Sequence, residues 1–431
     1  MGRSLGLVLI VDRVLPRSLE HPLPAGMRDL LPEEAAAQRA LSKTVLDRFA
    51  LFGYRLVTPP AFELAHVVER GLGASAASDL LRFIEPESGD VAVLRPDMTP
   101  QIARIVATRM RDHAPPHRLA YEGTVVRRRA GRAKKHRQIP QVGVELCGVG
   151  EDTGDLELLE LAADSLRAAG VESFTIDVSD AAIVRELLAD VPGDRSADVT
   201  LALAKKDEAM LAEHVKGLPF APALLALPRL HGGRDALEET VKVVSASGNL
   251  RAQAAAKRLL ALFDAASARG LGSLLTADAG EVRGFAYYTG TTFSIYADGP
   301  GEPIGAGGRY DELLSRFGAP MPAVGFGIDL DSLAWALRAS GAAALPRDGV
   351  VYVGASDDPR IGALRSRGIR AVAVAYHDAA LAHARSWGYT AVWNGKSVFD
   401  VRTEAASSVD DGADADRAAS LVARVLETFT S

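Results

Sequence analysis

The spacing of apolar residues predicts amphipathic helices in the first part of this chain. Between residues 33 and 52, apolar side chains recur every three or four positions, at Leu41, Val45, Leu46, Phe49 and Phe52. That period places them on one face of a helix. Pro32 comes just before the pattern and Gly53 just after it, and both residues are typical of helix ends. A similar pattern predicts a second helix over residues 151–169.

Short runs of apolar and β-branched residues predict strands around these helices. The runs lie at Arg55–Val57, Val91–Leu94, Ala120–Val126, Gln141–Cys147, Phe174–Val178, Gly284–Tyr296 and Ala323–Phe326. Residues 181–271 are rich in Ala and Leu, so we predict a mostly helical insertion there. A further helix is predicted over residues 329–340.

The pattern changes near residues 346–349, where a proline and a glycine mark a boundary. Beyond it, helical stretches alternate with short β-rich runs at Val350–Val353, Ala371–Ala375 and Ala391–Trp393. Such alternation is typical of a small βαβ layer. We therefore predict an α/β protein with an N-terminal extension (1–20), a main domain (21–345) and a small C-terminal α/β domain (346–431).

Composition and charge narrow the functional classes. The 431 residues are 48% hydrophobic and 24% charged, as in globular proteins, and the net charge of −6 argues against a general nucleic-acid binder. Cys147 is the only cysteine, which excludes an intrachain disulfide framework and a cysteine-rich zinc site. The early apolar run Leu5–Val11 is far shorter than the ~20 residues that span a bilayer. We expect a cytoplasmic protein without a membrane segment.

Five stretches carry polar residues in patterns that suit a ligand site: 94–100, 121–137, 137–145, 283–290 and 305–311. In the first, Thr99 is a possible helix cap. The second contains seven Arg or Lys residues, a pattern typical either of a solvated loop or of phosphate or nucleic-acid binding.

The other three stretches place polar groups or glycines on predicted strands and turns. Gln141, Gly143 and Glu145 share one face of a strand, where they form either a satisfied structural network or a polar ligand site. The last two stretches combine glycines, which let a backbone approach a ligand closely, with tyrosines, whose rings end in a polar hydroxyl.

Together and in this order, these stretches resemble the class II core of histidyl-tRNA synthetase over residues 22–340. The opening segment Pro24–Pro32 is also similar to the start of that family. The resemblance implies a mixed, largely antiparallel sheet flanked by helices, with a histidine pocket on one face. The implied pocket residues are Asp97, Thr99, Arg127, Gln141, Glu145, Arg283, Tyr287, Tyr288 and Tyr310.

The resemblance also implies a role for most of these residues. Asp97 and Thr99 match residues that hold the α-amino group, whereas Glu145 and Tyr288 match contacts to the imidazole. The remaining matches lie near the carboxylate or line the pocket, namely Arg127, Gln141, Arg283, Tyr287 and Tyr310. The chemistry is consistent, because an ammonium binds a carboxylate and a carboxylate binds guanidinium donors.

The nucleotide side of the resemblance is weaker. The third class motif of the synthetases contains an arginine that stacks on adenine, and we align Leu330 with it. Leucine supplies neither a cation nor a phosphate donor. In the second motif, Arg129 stands where the family has a glutamate. Arg283 is retained and favours the enzyme, but two of the three ATP-binding elements are altered.

A non-catalytic relative of the synthetases therefore fits better than an enzyme. The segment from residue 349 onward has nine Lys or Arg and ten Asp or Glu, which does not favour RNA binding. The chain resembles the regulatory subunits that partner the short form of ATP phosphoribosyltransferase. That resemblance implies activation of the catalytic subunit, feedback inhibition by histidine in histidine biosynthesis, and a homodimer within a hetero-oligomer. No metal, cofactor or nucleic-acid partner is expected. The alternatives are a true histidyl-tRNA synthetase and an unrelated histidine-binding or RNA-binding paralogue.

Overall fold

The computed structural model describes residues 23–72, 80–128, 136–282, 287–341, 348–409 and 414–430. The chain divides into two compact units, of which the larger contains Gln38–Ala342 and the smaller contains Leu31–Ala37 and Ala343–Ser431. The predicted N-terminal extension lies outside the described residues. No helix within the described ranges is long and apolar enough to cross a membrane.

Eleven helices are described before residue 342. They are α1 Pro32–Leu51, α2 Ala65–Leu72, α3 Thr99–Thr108, α4 Glu151–Ala168, α5 Ala181–Leu187, α6 Gly193–Lys205, α7 Glu208–His214, α8 Ala221–Ala226, α9 Arg234–Ala246, α10 Leu250–Ala266 and α11 Leu330–Ala339. The predicted helices over 33–52, 151–169 and 329–340 are confirmed to within one residue at each end. The first begins at Pro32, buries Val45 and Phe49, and ends before Gly53, whose positive φ of 86° stops it.

Twelve strands are described in the same part of the chain. They are β1 Arg55–Val57, β2 Phe62–Leu64, β3 Arg82–Ile84, β4 Val91–Leu94, β5 His117–Val126, β6 Gln138–Cys147, β7 Phe174–Asp180, β8 His231–Gly232, β9 Leu275–Asp278, β10 Thr291–Ala297, β11 Gly305–Arg309 and β12 Ala323–Asp329. The prediction of one strand over 284–296 is wrong at residues 287–290, and its residues 284–286 lie outside the described ranges. Residues 287–290 lie outside any strand, and β10 begins only at Thr291.

The described residues form a nine-stranded sheet in the order β1-β5-β6-β12-β11-β10-β7-β9-β8. The six neighbouring strands β5-β6-β12-β11-β10-β7 all pair antiparallel. The pairs of β1 with β5 and of β7 with β9 are parallel. A separate three-stranded antiparallel sheet has the order β2-β4-β3. The residues of the predicted insertion are mostly helical, from α5 to α10, with β8 the short exception.

The two faces of the large sheet differ in chemistry. Side chains alternate along a strand, so even-numbered residues of β6 and β12 share one face and odd-numbered residues the other. From Val142 onward the even positions, including Val144 and Phe326, are apolar and pack in one core with α4, α10 and α11. The odd positions include Glu145, Gly325 and Gly327. A polar, glycine-rich face therefore lies opposite the main hydrophobic core.

The smaller unit has its own sheet and core. Its described elements are β13 Val350–Val353, α12 Pro359–Ser366, β14 Ala371–Val374, α13 His377–Ser386, β15 Ala391–Trp393, β16 Ser397–Asp400, β17 Ala406–Ser408 and α14 Ala415–Thr430. The sheet order is β14-β13-β15-β16-β17, with the first three strands parallel. The three β-rich runs predicted at 350–353, 371–375 and 391–393 are confirmed as β13, β14 and β15. The antiparallel strands β16 and β17 were not predicted.

Candidate functional site

The site is built on the glycine-rich face of the large sheet. In the register of the strands, Glu145 pairs with Gly325, which in turn pairs with Gly308 on β11. A Cβ at Gly325 would overlap the Glu145 carboxyl group, and one at Gly308 would stand 2.9 Å from the ring of Tyr288. The two glycines therefore make room for a carboxylate and an aromatic ring on one strip of the sheet.

Glu145 lies at the bottom of this strip and is 1% exposed. Its Oε1 accepts a hydrogen bond of 2.6 Å from the Thr99 hydroxyl, and its Oε2 accepts one from the Tyr310 hydroxyl. The pKa of Glu145 is raised to about 8, mainly because the carboxyl group is buried. The two hydrogen bonds lower this pKa, whereas the nearby charge of Asp97 adds to the increase. The carboxyl group is thus poised to carry or release a proton near neutral pH.

Asp97 is a second buried carboxylate in the same pocket. Its Oδ2 accepts a hydrogen bond of 2.8 Å from the Tyr287 hydroxyl, and its Oδ1 accepts a bond of 3.3 Å from the backbone N–H of Thr99. The expectation that Thr99 caps α3 is wrong. Thr99 is the first residue of the helix, and its hydroxyl donates to Glu145 because the helix start points at the strip.

Three tyrosines cluster beside the two carboxylates. The ring centroids of Tyr287 and Tyr288 are 4.9 Å apart, and those of Tyr287 and Tyr310 are 5.6 Å apart, both edge to face. Burial raises the pKa of all three hydroxyls above the ordinary value, so they remain protonated donors. We call the group formed by Asp97, Thr99, Glu145, Tyr287, Tyr288 and Tyr310 the carboxylate–tyrosine pocket.

Arg127 and Gln141 lie beside this pocket. The Arg127 Nε donates to the backbone oxygen of Pro96, next to Asp97, at 3.2 Å. Gln141 is half-buried on the same face of β6 as Glu145, four residues away along the strand. Arg283 and most of the basic stretch, including Arg129, lie outside the described residues. The structure thus joins Asp97, Thr99, Glu145, Tyr287 and Tyr310 directly.

Tyr121 also shapes the pocket, although it was not among the residues predicted for the site. Tyr121 on β5 is buried, and its hydroxyl occupies the space above Gly143, where a Cβ would overlap it. The spacing of Gly325 and Gly327 matches that of Gly143 and Glu145, a period-two signal that could have revealed the shared face. The strand pairing that unites them could not be read from the sequence.

The alignment of Leu330 with a nucleotide contact needs correction. Leu330 is 2% exposed, begins α11, and packs in the apolar core behind the sheet. Asp329, at the end of β12, caps α11 by accepting hydrogen bonds from the N–H groups of Asp331 and Ser332. Leu330 therefore does not line the ligand face, and its identity does not indicate whether that face could bind a nucleotide.

A buried ion pair supports the pocket from behind. Arg309 precedes Tyr310 and points to the opposite face, where its guanidinium pairs with Asp155 of α4 at 2.7 Å and with Asp311 at 2.9 Å. Asp311 also accepts a hydrogen bond from the N–H of Ala323, and its own N–H donates to the hydroxyl of Thr289. These bonds fix the backbone on both sides of Tyr310.

No three His, Cys, Asp or Glu side chains among the described residues are grouped so that they could hold a metal ion. The site therefore combines two carboxylates with several hydroxyl donors and three neighbouring aromatic rings. Such a pocket suits a small ligand with two nitrogen groups, one for each carboxylate.

Comparison with known proteins places this fold in a class. A sequence profile described as histidyl-tRNA synthetase matches residues 26–333. A solved histidyl-tRNA synthetase from Nostoc has a TM-score of 0.74 at 19% identity, covering 94% of this chain and all of that one. The larger unit therefore has the class II synthetase-like fold, mixed and mostly antiparallel with flanking helices, as predicted.

Full-length relatives define the family more narrowly. The chain is 42% identical over 325 residues to an ATP phosphoribosyltransferase regulatory subunit from Anaeromyxobacter dehalogenans, covering 74% of this chain and 92% of that protein. A relative of the same name from Moorella thermoacetica is 40% identical over 73% of this chain and 82% of its own. A solved protein from Bacillus halodurans, titled ATP phosphoribosyltransferase regulatory subunit/histidyl-tRNA synthetase, has 29% identity and a TM-score of 0.73, covering 87% and 98%. The chain belongs to the family of ATP phosphoribosyltransferase regulatory subunits.

Proposed function

We propose that this chain is a non-catalytic subunit that activates a short-form ATP phosphoribosyltransferase and makes it sensitive to histidine. The observation that carries the proposal is the carboxylate–tyrosine pocket, with Asp97 and Glu145 buried together under hydroxyl donors. The α-ammonium of histidine would bind Asp97, and its imidazole N–H would bind Glu145. Arg127, Gln141 and Arg283 would receive the carboxylate.

Regulation requires that histidine bind one state of the assembly better than the other. A difference of about 1–3 kcal/mol in binding free energy is enough for useful inhibition. The coupling must be reciprocal, so substrate on the catalytic subunit must weaken histidine binding by the same factor. Following the symmetry of most oligomers, we expect regulatory dimers assembled with catalytic dimers in a closed particle.

The test mixes the purified chain with a short-form catalytic subunit and measures turnover of ATP and phosphoribosyl pyrophosphate, with and without histidine. We expect co-elution, a higher rate, and inhibition by histidine. No co-elution at micromolar concentrations, with an unchanged rate, would contradict the proposal.

A matched pair of variants locates the histidine site. In Glu145→Ala, the imidazole loses its acceptor, and binding should weaken by ~1.5–3 kcal/mol. The control is Glu157→Ala, since Glu157 also accepts a tyrosine hydrogen bond, at 2.9 Å from Tyr54, but lies on α4. Equal calorimetric affinity in both variants would mean that histidine binds elsewhere.

Histidyl-tRNA synthetase activity is the second candidate, because the matching sequence profile carries that description. We expect no histidine-dependent exchange between ATP and pyrophosphate and no charging of tRNA. Exchange well above background, in a preparation free of host synthetase, would favour the enzyme.

A further inference from the structure

The Glu145 carboxyl group has an unusual set of partners for a buried acid. Both of its oxygens accept hydrogen bonds from hydroxyls, those of Thr99 and Tyr310. No Arg, Lys or His within the described part of the chain forms an ion pair with it. A fully buried carboxylate without a cation is costly, so such groups tend to bind a proton instead.

Among the described residues, the groups that act most directly on Glu145 are another acid and neutral hydroxyls. The described titratable or polar groups that interact with it are Tyr54 after α1, Asp97 and Thr99 at the start of α3, Tyr121 on β5, Cys147 on its own strand, Tyr287 and Tyr288 before β10, and Tyr310 after β11. Arg127 is the described cation whose charge acts on this group of tyrosines. The surroundings therefore favour the neutral acid.

We propose that histidine binds with one proton shared between its imidazole and Glu145, so that affinity is highest in a window of pH and falls on both sides. This inference rests on the proposed function, because it needs the imidazole to face Glu145. The bound pair is either a carboxylic acid with a neutral ring or a carboxylate with an imidazolium. Both contain one proton, and both satisfy the hydrogen bond.

The window follows from counting protons in the free partners. Free imidazole has a pKa of about 6.5, and burial raises that of Glu145 to about 8. Between these values the acid is protonated and the ring is neutral, so binding moves no proton. Above the window Glu145 is ionised, and complex formation must take up a proton. Below it the ring is also protonated, and binding must release one. Each limb should reach about a tenfold loss of affinity per pH unit.

The experiment is calorimetric titration of the full chain with histidine at pH 5.5, 7.0 and 9.0, comparing wild type with Glu145→Gln. The ammonium of histidine also titrates at alkaline pH, but equally for both proteins. We expect wild-type affinity to fall about tenfold more than that of the variant between pH 7.0 and 9.0.

A second measurement, made on the wild type alone, tests the inference even if Glu145→Gln does not bind histidine. Repeating the wild-type titration in buffers of different ionisation enthalpy counts protons directly. The number of protons taken up per bound histidine should be larger at pH 9.0 than at pH 7.0 by up to one. This difference is counted after subtracting the contribution of the histidine ammonium, which is obtained by titrating free histidine. Binding without this excess uptake, or with the same alkaline fall in Glu145→Gln, overturns the inference and leaves the proposed function standing. Absence of binding by the folded chain at all three values of pH overturns both.

Discussion

Gly325 lies directly across from Glu145 in the sheet, and its missing side chain leaves the space that the Glu145 carboxyl group occupies. The acid could not reach both of its hydroxyl partners if the facing residue carried a Cβ. The glycine is therefore as much a part of the pocket as the carboxylate.

Gly325→Ala should displace the Glu145 side chain and weaken histidine binding by about tenfold or more, since a hydrogen bond to a charged group is worth ~1.5–3 kcal/mol. It should also lower the free energy of unfolding by ~1–3 kcal/mol, as overpacking does. Gly327→Ala is the matched control on the same strand and face, because its Cβ meets only the Tyr121 hydroxyl at 3.1 Å and a backbone oxygen at 3.9 Å. Calorimetry and urea denaturation measure both effects. Similar affinities in the two variants would contradict the assignment.

The buried acid should also leave a mark on the ligand-free protein. The pKa of Glu145 is raised to about 8 in the folded chain, against about 4.3 when unfolded. Between these values the folded state holds a proton that the unfolded state has lost, so stability falls as pH rises. The slope should reach up to ~1.4 kcal/mol per pH unit, and Glu145→Gln should lack this component. Urea denaturation at several values of pH from 5 to 8 tests this. Parallel pH profiles for the two proteins would show that Glu145 is ionised throughout.

Asp155→Ala should be strongly destabilising, by ~3–5 kcal/mol in the free energy of unfolding, because it leaves the buried guanidinium of Arg309 without a main partner. The exposed pair of Arg234 with Asp264 provides the control, and Arg234→Ala should destabilise the chain far less, because water screens the pair. A double variant, Asp155→Leu with Arg309→Met, should recover part of the loss. If Asp155→Ala costs no more than the control, the buried pair does not support the Tyr310 segment.

For Asp358 of the smaller unit, we expect the opposite pH dependence of stability from that of Glu145. Its carboxylate accepts hydrogen bonds from the Tyr352 hydroxyl at 2.8 Å and from the Arg360 guanidinium at 2.7 Å. The Arg360 contact holds the pKa of Asp358 well below its usual range, so its stabilisation is present at neutral pH and is lost on acidification. Asp358→Asn should cost about 1 kcal/mol at pH 7 and less at pH 3. Asp378→Asn, at an exposed position of α13, is the control. An equal cost at both values of pH would argue for a role of Asp358 as helix cap alone.

Local patterns in the sequence were enough to predict most helices and strands and the face of β6 that carries Glu145. The helix over Pro32–Leu51 and the strand face that carries Glu145 follow from spacing and from residues at the ends, which depend on near neighbours only. Tyr121 was missed because its role depends on a strand pairing and on the open space at Gly143. Pairings between distant strands are not encoded in any one stretch.

Leu330 shows how a motif comparison can mislead where simple alternation does not. The even positions of β12 face the core, and Leu330 keeps to that side although it begins α11, whereas Gly325 and Gly327 lie at odd positions on the face of the pocket. Residues 287–290 show the reverse difficulty. Their composition favours a strand, yet they remain outside one, and Tyr287 and Tyr288 contribute to the pocket.

The hydrogen bonds of the pocket join parts of the chain that are far apart in sequence. Asp97 and Tyr287 are separated by 190 residues, and Glu145 and Tyr310 by 165. A ligand held among them would act as a cross-link between distant segments of the larger unit. Amide hydrogen exchange should therefore slow together around β6, β12 and α3 when the pocket is filled, with the change spread through the unit rather than confined to one loop.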